Sequence, residues 1–380
     1  MRRVVVLLTG IVILALLLGA CGGSQATPEP TQPPPEPTEA PTQPPENPAE
    51  EPTEEPTEEP PEVSGPLTVL AGPQEDWAQA MVAAFEQATG IETSYVRLSS
   101  GEAFSRLQAE AGAPSFDVWW GGPNEGQSAA YAEGLIEPYV PPNAAQIPDG
   151  LKHPDGVWTG IYVGALGFCS NQDLLDELGV DPPTSWDDLL APALEGNIAV
   201  ADARTSGTAY TFLYSLVALR GEEEAFEYLK QVNENIFQYT KSGSAPGRMA
   251  AAGEVAVAII FSHDCVKFRE ETGANLVVSF PAEGTGFEIG SQALIKNAPN
   301  PEAAKVWMEW ALSPEAQAVA PTVRSYQVPS NPNTPVPPEA IALDQVNLLD
   351  YDHGLAGELR AELSERFGEE VREGAAPPEG

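Results

Sequence analysis

The chain has 380 residues, and its 56 acidic residues outnumber its 18 basic residues, which gives a formal net charge of −38. This charge argues against nucleic acids and anionic membrane surfaces as partners, because too few lysines and arginines are present to neutralise phosphates. An anionic ligand would have to be held by local hydrogen-bond donors, although salt screens long-range repulsion beyond about 10 Å.

The first 20 residues predict an export signal. Arg2 and Arg3 form a short basic segment, residues 4–17 are apolar, and small residues precede Cys21. This length and these flanks are typical of a signal peptide rather than of a membrane-spanning helix. Residues 18–21, Leu-Gly-Ala-Cys, resemble the bacterial lipobox, which implies cleavage before Cys21 and lipid attachment to it. We expect an exported protein, anchored by lipid at the outer face of the cytoplasmic membrane or periplasmic; the alternative is an ordinary cleaved signal.

Residues 21–64 predict a disordered spacer. From Gly22 to Glu62 the sequence is almost entirely Pro, Glu, Thr, Gln, Ala and Ser, with no aromatic residue and no Lys or Arg. Such a segment cannot bury enough apolar surface to offset its ordering entropy. Extended at about 3.1 Å per residue, it would reach on the order of 100 Å from its anchor. A binding role, for example to the cell wall, is the alternative.

The rest of the chain alternates apolar strands with helices. The spacing of apolar residues predicts strands at 67–71, 93–98, 116–120, 160–168, 198–201, 255–261, 276–280 and 291–295. It predicts helices at 77–89, 102–111, 186–190, 212–219, 222–233, 245–252, 301–312, 314–320 and 355–372, followed by a frayed tail at 374–380. This alternation predicts an α/β fold with an open parallel sheet, whose ligands bind beyond the carboxyl ends of the strands.

Hydroxyl-rich turns between predicted strands and helices are candidate anion sites. Backbone N–H groups at a helix start combine with nearby hydroxyls and the helix dipole to attract an anion. Two such starts facing one cleft could hold phosphate or phosphonate oxygens from both sides. Ordinary helix capping is the alternative. The candidates are Ser99, Ser100, Thr205, Ser206, Gly207, Thr208 and, as part of a third start, Ser242.

A second group of candidates carries carboxylates and an imidazole. His263 and Asp264 follow the apolar run 255–261, and Glu288 interrupts an apolar stretch. At strand ends such groups suit hydrogen bonds to sugar-like hydroxyls, although they could also ligate a metal or order a loop. Trp119 and Trp120 face opposite sides of a strand, so we expect Trp119 in the core and Trp120 against a ligand.

No catalytic signature is present in the sequence. A G-x-S-x-G elbow, H-E-x-x-H, a P-loop and C-x-x-C are all missing, and the only histidines are His153, His263 and His353. The adjacency of His263 and Asp264 does not define a catalytic triad. We therefore expect a binding protein that is not an enzyme and carries no cofactor.

Cys169 and Cys265 are the cysteines that remain besides Cys21. In an oxidising compartment they could pair, and the closed loop of roughly 95 residues could contribute up to about 4 to 5 kcal/mol in the chain-entropy model. Buried free thiols are the alternative, and the sequence leaves both open.

Five motifs, in this order, resemble those of the extracellular solute-binding proteins of bacterial ABC importers. They are VRLSSGE at 96–102, DVWWGGP at 117–123, WTGIY at 158–162, TSGTAY at 205–210 and QYTKSG at 238–243. The resemblance covers 67–372 and is to the type II cluster, which includes binders of ferric iron, thiamine, phosphonates and hexose phosphates.

This resemblance implies two α/β lobes joined by crossover strands at a hinge. The expected lobes are 65–168 with 293–343, and 169–292 with 344–373. They would close over a ligand and then dock on a membrane permease, and we expect the protein to be a monomer.

Within the cluster the resemblance favours a phosphorylated organic solute. Ferric-binding members hold iron with two adjacent tyrosines after the strand that corresponds to 255–261, whereas this chain has Ser-His-Asp there and no tyrosine pair anywhere. His263, Asp264 and Glu288 resemble the sugar-binding residues of the hexose-phosphate binders, in which Ser and Thr at helix starts hold the phosphate. We expect Tyr162 and Trp120 to line the cleft. The alternatives are ferric iron held by His263 and Glu288, a phosphonate or thiamine, and a surface sensor or adhesin.

Overall fold

The structure is a computed structural model that describes residues 65–379; the predicted signal peptide, Cys21 and the spacer lie outside these residues. The strands are β1 Leu67–Ala71, β2 Thr93–Arg97, β3 Val118–Pro123, β4 Ile136–Glu137, β5 Thr159–Asn171, β6 Ile198–Ala201, β7 Ile236–Thr240, β8 Val257–Phe261, β9 Leu276–Ser279, β10 Phe287–Ile295 and β11 Val328–Pro329. The α-helices are α1 Glu75–Thr89, α2 Ser100–Ala109, α3 Asn124–Ala132, α4 Gln172–Leu178, α5 Gly207–Arg220, α6 Glu222–Asn233, α7 Ala245–Ala252, α8 Ser262–Thr272, α9 Pro301–Trp310, α10 Pro314–Gln317, α11 His353–Glu358 and α12 Arg360–Arg366. Short 3-10 helices cover Pro142–Gln146, Asp149–Leu151, Asp187–Leu190, Pro192–Leu194, Ala320–Val323 and Leu343–Gln345, and a π-helical turn covers Phe367–Val371.

The strands form one mixed sheet in the order β2-β1-β3-β10-β5-β8-β6-β7. Strands β1, β2 and β3 are parallel at one end of the sheet, and β6, β7 and β8 are parallel at the other. Between them, β10 and β5 run antiparallel to each other and to their outer neighbours. The predicted parallel sheet is therefore confirmed at both ends and wrong in the centre, where the chain crosses between them.

The crossover strand β5 belongs to both halves of the sheet. All 13 of its residues are buried. Its first part pairs with β10, and its second part pairs with β8 and β9. We call the half with β1–β4 the first lobe and the half with β6–β9 the second lobe. The predicted two-lobed α/β architecture with crossover strands is thus present.

Each lobe has its own apolar core. In the first lobe the rings of Phe85 and Trp307 lie 5.0 Å apart, and those of Trp120 and Trp307 lie 5.8 Å apart. The core of the second lobe takes in residues of the C-terminal segment, including Tyr351, Leu363 and Val371. The end of the chain therefore packs with the second lobe.

Three helices were not predicted, and one predicted helix is broken. Helices α3, α4 and α8 were missed; in α8 the residues on the buried side include polar ones such as His263 and Lys267, so its apolar periodicity is weak. His263 and Asp264 consequently lie in the first turn of a helix rather than in a loop beyond a strand. The predicted helix at 355–372 is divided into α11, α12 and the π-helical turn.

A disulfide joins Cys169 of β5 to Cys265 of α8, with their Cα atoms 5.5 Å apart. It fixes the start of α8 to the crossover strand. Within residues 65–379 no helix combines the length and the apolar character that a membrane crossing requires.

Candidate functional site

A polar cleft of about 520 Å³, part of it open to solvent, lies between residues of the two lobes. The lining residues are Gly72, Pro73, Gln74, Arg97, Ser99, Ser100, Gly122, Pro123, Tyr162, Ser206, Gly207, Thr208, Gly243, Ser244, Phe261, His263, Asp264, Glu288, Ser325 and Gln327.

Six helices begin at this cleft. The residues that immediately precede α1, α2, α3, α5, α7 and α8 all line it: Gln74, Ser99, Pro123, Ser206, Ser244 and Phe261. The first N–H groups of a helix have no acceptor within the helix, and each N-terminus carries roughly half a positive charge. The fold therefore brings six helix starts to the cleft, whereas the sequence predicted three. They provide local positive potential for an anion although the net charge of the protein is strongly negative.

Glycines allow three of these helix starts to approach closely. A Cβ atom on Gly122 or Gly207 would lie 2.7 or 2.8 Å from the Ser100 hydroxyl oxygen. A Cβ atom on Gly243 would lie 2.1 Å from the Thr208 hydroxyl oxygen. Any side chain at these positions would displace the hydroxyls, so the glycines keep this end of the cleft narrow and lined by donors.

Arg97 supplies the one guanidinium group of the cleft lining. Its Nη2 donates to the Ser242 hydroxyl oxygen at 3.2 Å and its Nε donates to the Pro73 carbonyl at 3.3 Å. Burial lowers the pKa of Arg97, while the carboxylates of Glu102 and Asp264 raise it, and the group stays charged at neutral pH. A guanidinium has five N–H donors, so three remain for a ligand.

The other end of the cleft carries His263, Asp264 and Glu288. The His263 Nε2 atom lies 3.5 Å from Glu288 Oε1 and 4.0 Å from Asp264 Oδ1. The amide of Gln74 donates to Asp264 Oδ1 at 2.6 Å, and Arg248 donates to the amide oxygen of Gln74 at 2.7 Å. This chain of hydrogen bonds fixes the Asp264 carboxylate against a residue of the first lobe.

Burial keeps His263 and Glu288 uncharged. It lowers the pKa of His263, with Asp264 acting in the opposite direction. It raises the pKa of Glu288 well above its ordinary value, and the charges of Asp264 and Glu125 add to this. A neutral imidazole and a protonated carboxyl each offer a donor and an acceptor, which is the pattern that complements sugar hydroxyls.

Tyr162 lies between the two ends of the cleft. Its hydroxyl accepts the Gly122 N–H at 3.0 Å, and its ring lies 6.4 Å from that of His263. Burial raises the pKa of Tyr162 well above its ordinary value. The phenol therefore keeps its proton and can donate it to a ligand.

Nine of the twelve predicted ligand-binding residues line the cleft, and three do not. The Trp120 ring packs against Trp77, with centroids 5.2 Å apart, because the strand turns it toward the helices of the first lobe. The Thr205 hydroxyl donates to the Lys241 carbonyl at 2.9 Å. Ser242 reaches the cleft only through Arg97. The lining residues from the prediction are Ser99, Ser100, Tyr162, Ser206, Gly207, Thr208, His263, Asp264 and Glu288.

Arg97, Gln74, Ser325 and Gln327 were not among the predicted site residues. The first two had a usable signal, because Arg97 ends β2 and Gln74 follows β1, and ligands bind beyond such strand ends. Ser325 and Gln327 lie in an irregular segment before β11, where the sequence carries no comparable signal.

The comparisons with known proteins agree with this fold. The family model for bacterial extracellular solute-binding proteins matches residues 80–345. The chain belongs to this family and has the type II periplasmic-binding fold of the proteins that serve ABC importers. Members bind solutes and are not enzymes, which confirms that prediction.

Individual relatives are consistent with the family. An uncharacterized protein of Haemophilus influenzae is 37% identical over 316 residues, which are 81% of this chain and 91% of that protein. The periplasmic binding protein AfuA from Actinobacillus pleuropneumoniae, solved with exogenous fructose-6-phosphate bound, has a TM-score of 0.79 and 37% identity, covering 81% of this chain and 99% of its own. Iron-bound HitA from Pseudomonas aeruginosa has a TM-score of 0.70 at 20% identity, covering 80% of this chain and 99% of its own, and shows the shared fold alone.

Proposed function

We propose that this chain captures a phosphorylated sugar, or a similar phosphorylated organic solute, for its ABC importer. We also propose that lipid on Cys21 anchors the protein outside the cytoplasm, on the evidence of its lipobox-like sequence. The observation that carries the ligand proposal is that one cleft combines donor-rich helix starts and Arg97 with the uncharged groups of His263 and Glu288; we call these its donor-rich end and its hydroxyl-binding end.

The donor-rich end suits a phosphate dianion. The starts of α2, α5 and α7 each favour an anion by about 0.3 to 1 kcal/mol, and more where they are buried. Arg97 adds a full charge in a geometry that can bind two phosphate oxygens at once. The sequence-similar AfuA holds fructose-6-phosphate in the same fold, which supports this ligand class.

The hydroxyl-binding end suits the uncharged part of the same ligand. His263 and Glu288 offer neutral donors and acceptors, and Asp264 offers an acceptor that is already held in place. A second anionic group here would face the Asp264 carboxylate, so the cleft favours monoesters of polyols over compounds that are charged at both ends.

The structure is closed over the cleft, which fits a receptor that traps its ligand. The Gly101 N–H of the first lobe donates to the Thr205 carbonyl of the second at 3.0 Å. Lys241 of the second lobe lies 2.7 Å from the Glu102 carboxylate of the first. We propose that these contacts part when the hinge opens, that the lobes are 65–168 with 293–343 and 169–292 with 344–373, and that the protein acts as a monomer.

Ferric iron is the second candidate, because several relatives are named for iron uptake or ferric-iron binding. Tyr162 is the one tyrosine in the cleft lining, and its raised pKa disfavours the phenolate that iron binding uses. Within residues 65–379 no group of three or more His, Cys, Asp or Glu side chains is placed to hold a metal.

Isothermal titration calorimetry of the purified protein tests this function. The ligands are glucose 6-phosphate, fructose 6-phosphate, free glucose, inorganic phosphate, 2-aminoethylphosphonate, thiamine and ferric citrate. We expect the hexose phosphates to bind at least tenfold more tightly than glucose or phosphate alone, because only they engage both ends. Binding of ferric citrate without hexose phosphates would contradict the proposal and favour iron, and tighter binding of the phosphonate or thiamine would replace the ligand class.

A further inference from the structure

A second pocket of about 380 Å³, part of it open to solvent, adjoins the cleft in the first lobe. Trp77, Met81, Trp120 and Ala320 contribute to its apolar walls. Its lining contains no Asp, Glu, Lys, Arg or His. The pocket is therefore suited to an uncharged and mainly apolar group.

Tyr162 and Gln327 line both the cleft and this pocket. The two spaces thus lie on either side of the same two side chains. The pocket is therefore next to any ligand group that contacts Tyr162 or Gln327 in the cleft.

Three residues of the pocket lining have buried polar atoms without a hydrogen-bond partner within residues 65–379. They are the indole N–H groups of Trp77 and Trp120 and the buried side-chain oxygen of Gln327. The three residues are 4%, 1% and 8% exposed, so bulk water does not satisfy these atoms. Buried polar groups are nearly always paired, and such exceptions require an explanation.

Two donors and one acceptor complement a secondary amide. Its carbonyl oxygen accepts from an indole N–H, its N–H donates to the Gln327 oxygen, and its alkyl group packs against Met81 and Ala320. An ammonium group would find no anionic partner there. The pocket thus matches an acylated amine better than a free amine.

We propose that this pocket is a subsite for the acylamino group of an N-acylated amino-sugar phosphate. The subsite depends on the proposed function, because the phosphate must first be held at the donor-rich end of the cleft. Within that function it widens the ligand class from hexose phosphates to their acylamino derivatives.

Calorimetry of the whole purified protein with three esters tests the subsite. We expect N-acetylglucosamine 6-phosphate to bind at least as tightly as glucose 6-phosphate, and glucosamine 6-phosphate to bind at least tenfold more weakly. N-acetylglucosamine 6-phosphate binding tenfold more weakly than glucose 6-phosphate overturns the subsite alone. If none of the three esters binds, the proposed function fails and the subsite fails with it.

Variants then locate the acyl group. The quantity compared is the ratio of the affinity for N-acetylglucosamine 6-phosphate to that for glucose 6-phosphate, because a general loss of folded protein affects both affinities equally. Trp77→Phe removes one N–H donor, and Ala320→Leu fills the pocket. Each should lower the affinity for N-acetylglucosamine 6-phosphate relative to glucose 6-phosphate by about fivefold or more. Trp310→Phe, which changes a tryptophan outside the pocket lining, should leave the ratio unchanged. Equal ratios in all three variants place the acyl group elsewhere and overturn the proposal.

Discussion

Two buried glutamate–histidine pairs in this protein have the same spacing and opposite electrostatics. In the cleft, His263 lies 3.5 Å from the Glu288 carboxylate; between α3 and α11, His353 lies 3.4 Å from the Glu125 carboxylate. Burial raises the pKa of both carboxyls. For Glu125 burial is the largest single influence, but the interactions with His353, Tyr351 and the backbone together outweigh it and lower the pKa, whereas for Glu288 the pKa is raised well above its ordinary value.

The surroundings of the two pairs explain this difference. The buried Arg360 interacts with the Glu125 charge, and the guanidinium of Arg360 lies 4.5 Å from the centre of the Tyr210 ring. Glu288 instead faces a second carboxylate, Asp264. A buried carboxylate with nearby cations holds elements together, whereas one without them stays neutral and keeps its hydrogen-bonding capacity for a ligand.

The Glu125–His353 pair also lies close to the cleft. His353 packs on the ring of Phe287 at 4.8 Å, and Phe287 precedes Glu288 on β10. Helix α3, which carries Glu125, begins after Pro123 of the cleft lining. The Glu125–His353 pair therefore links the C-terminal segment to the same strand and helix that shape the cleft.

Glu125→Gln should give the largest effect, because it removes the carboxylate of the buried pair with His353, whose charge also acts on buried Arg360. We expect a loss of about 3 to 5 kcal/mol in the free energy of unfolding at pH 7, measured with urea. Because the pKa of Glu125 is lowered in the fold, its contribution is present above about pH 4.3 and fades as the pH falls through the folded value. The exposed control Glu92→Gln should change stability by less than about 0.5 kcal/mol. Equal effects of the two variants would contradict the structural role of Glu125.

Arg97→Gln tests whether the arginine of the cleft differs from Arg360, which is buried near the Glu125–His353 pair. Arg97 is half-buried in the cleft, unlike Arg360, so its loss should spare the fold and weaken hexose-phosphate binding by about 1.5 to 3 kcal/mol. Calorimetry and a thermal melt measure the two quantities. If Arg97→Gln lowers the melting temperature and leaves the affinity unchanged, Arg97 stabilises the fold and does not bind the ligand.

Asp264→Ala should weaken hexose-phosphate binding by at least about 1 kcal/mol, because it removes an acceptor and leaves the Gln74 amide without its partner. The exposed Asp155→Ala is the matched control. Unchanged affinity of the Asp264 variant in calorimetry would exclude Asp264 from the ligand site.

Glu288→Gln should have the smallest effect on the free energy of unfolding, and its sign should be opposite to that of Glu125→Gln. Because the pKa of Glu288 is raised in the fold, the folded state binds more protons, and wild-type stability falls as the pH rises above about 4.3 toward the folded value. Gln cannot ionise, so at pH 8 the variant should match or exceed the wild type by about 1 kcal/mol. A variant that is less stable at pH 8 than at pH 5, relative to wild type, would show that Glu288 is ionised in the free protein.

The two pairs also show how far the sequence could predict the site. Strand ends and hydroxyl-rich helix starts are local patterns, so Ser99, Ser100 and Thr208 could be predicted. The partner of each histidine is set by crossings of the chain: His353 lies 228 positions from Glu125, and nothing local indicates that contact. For the same reason Gln327 and the polar helix α8 were missed, and Trp120 was assigned to the cleft when packing turns it to the core.

The most direct test of the proposed ligand class is a crystal structure of the protein in complex with glucose 6-phosphate. We expect the phosphate at the starts of α2, α5 and α7 beside Arg97, with sugar hydroxyls on His263, Asp264 and Glu288. A phosphate at the His263 end, or a ligand outside the cleft, would contradict it.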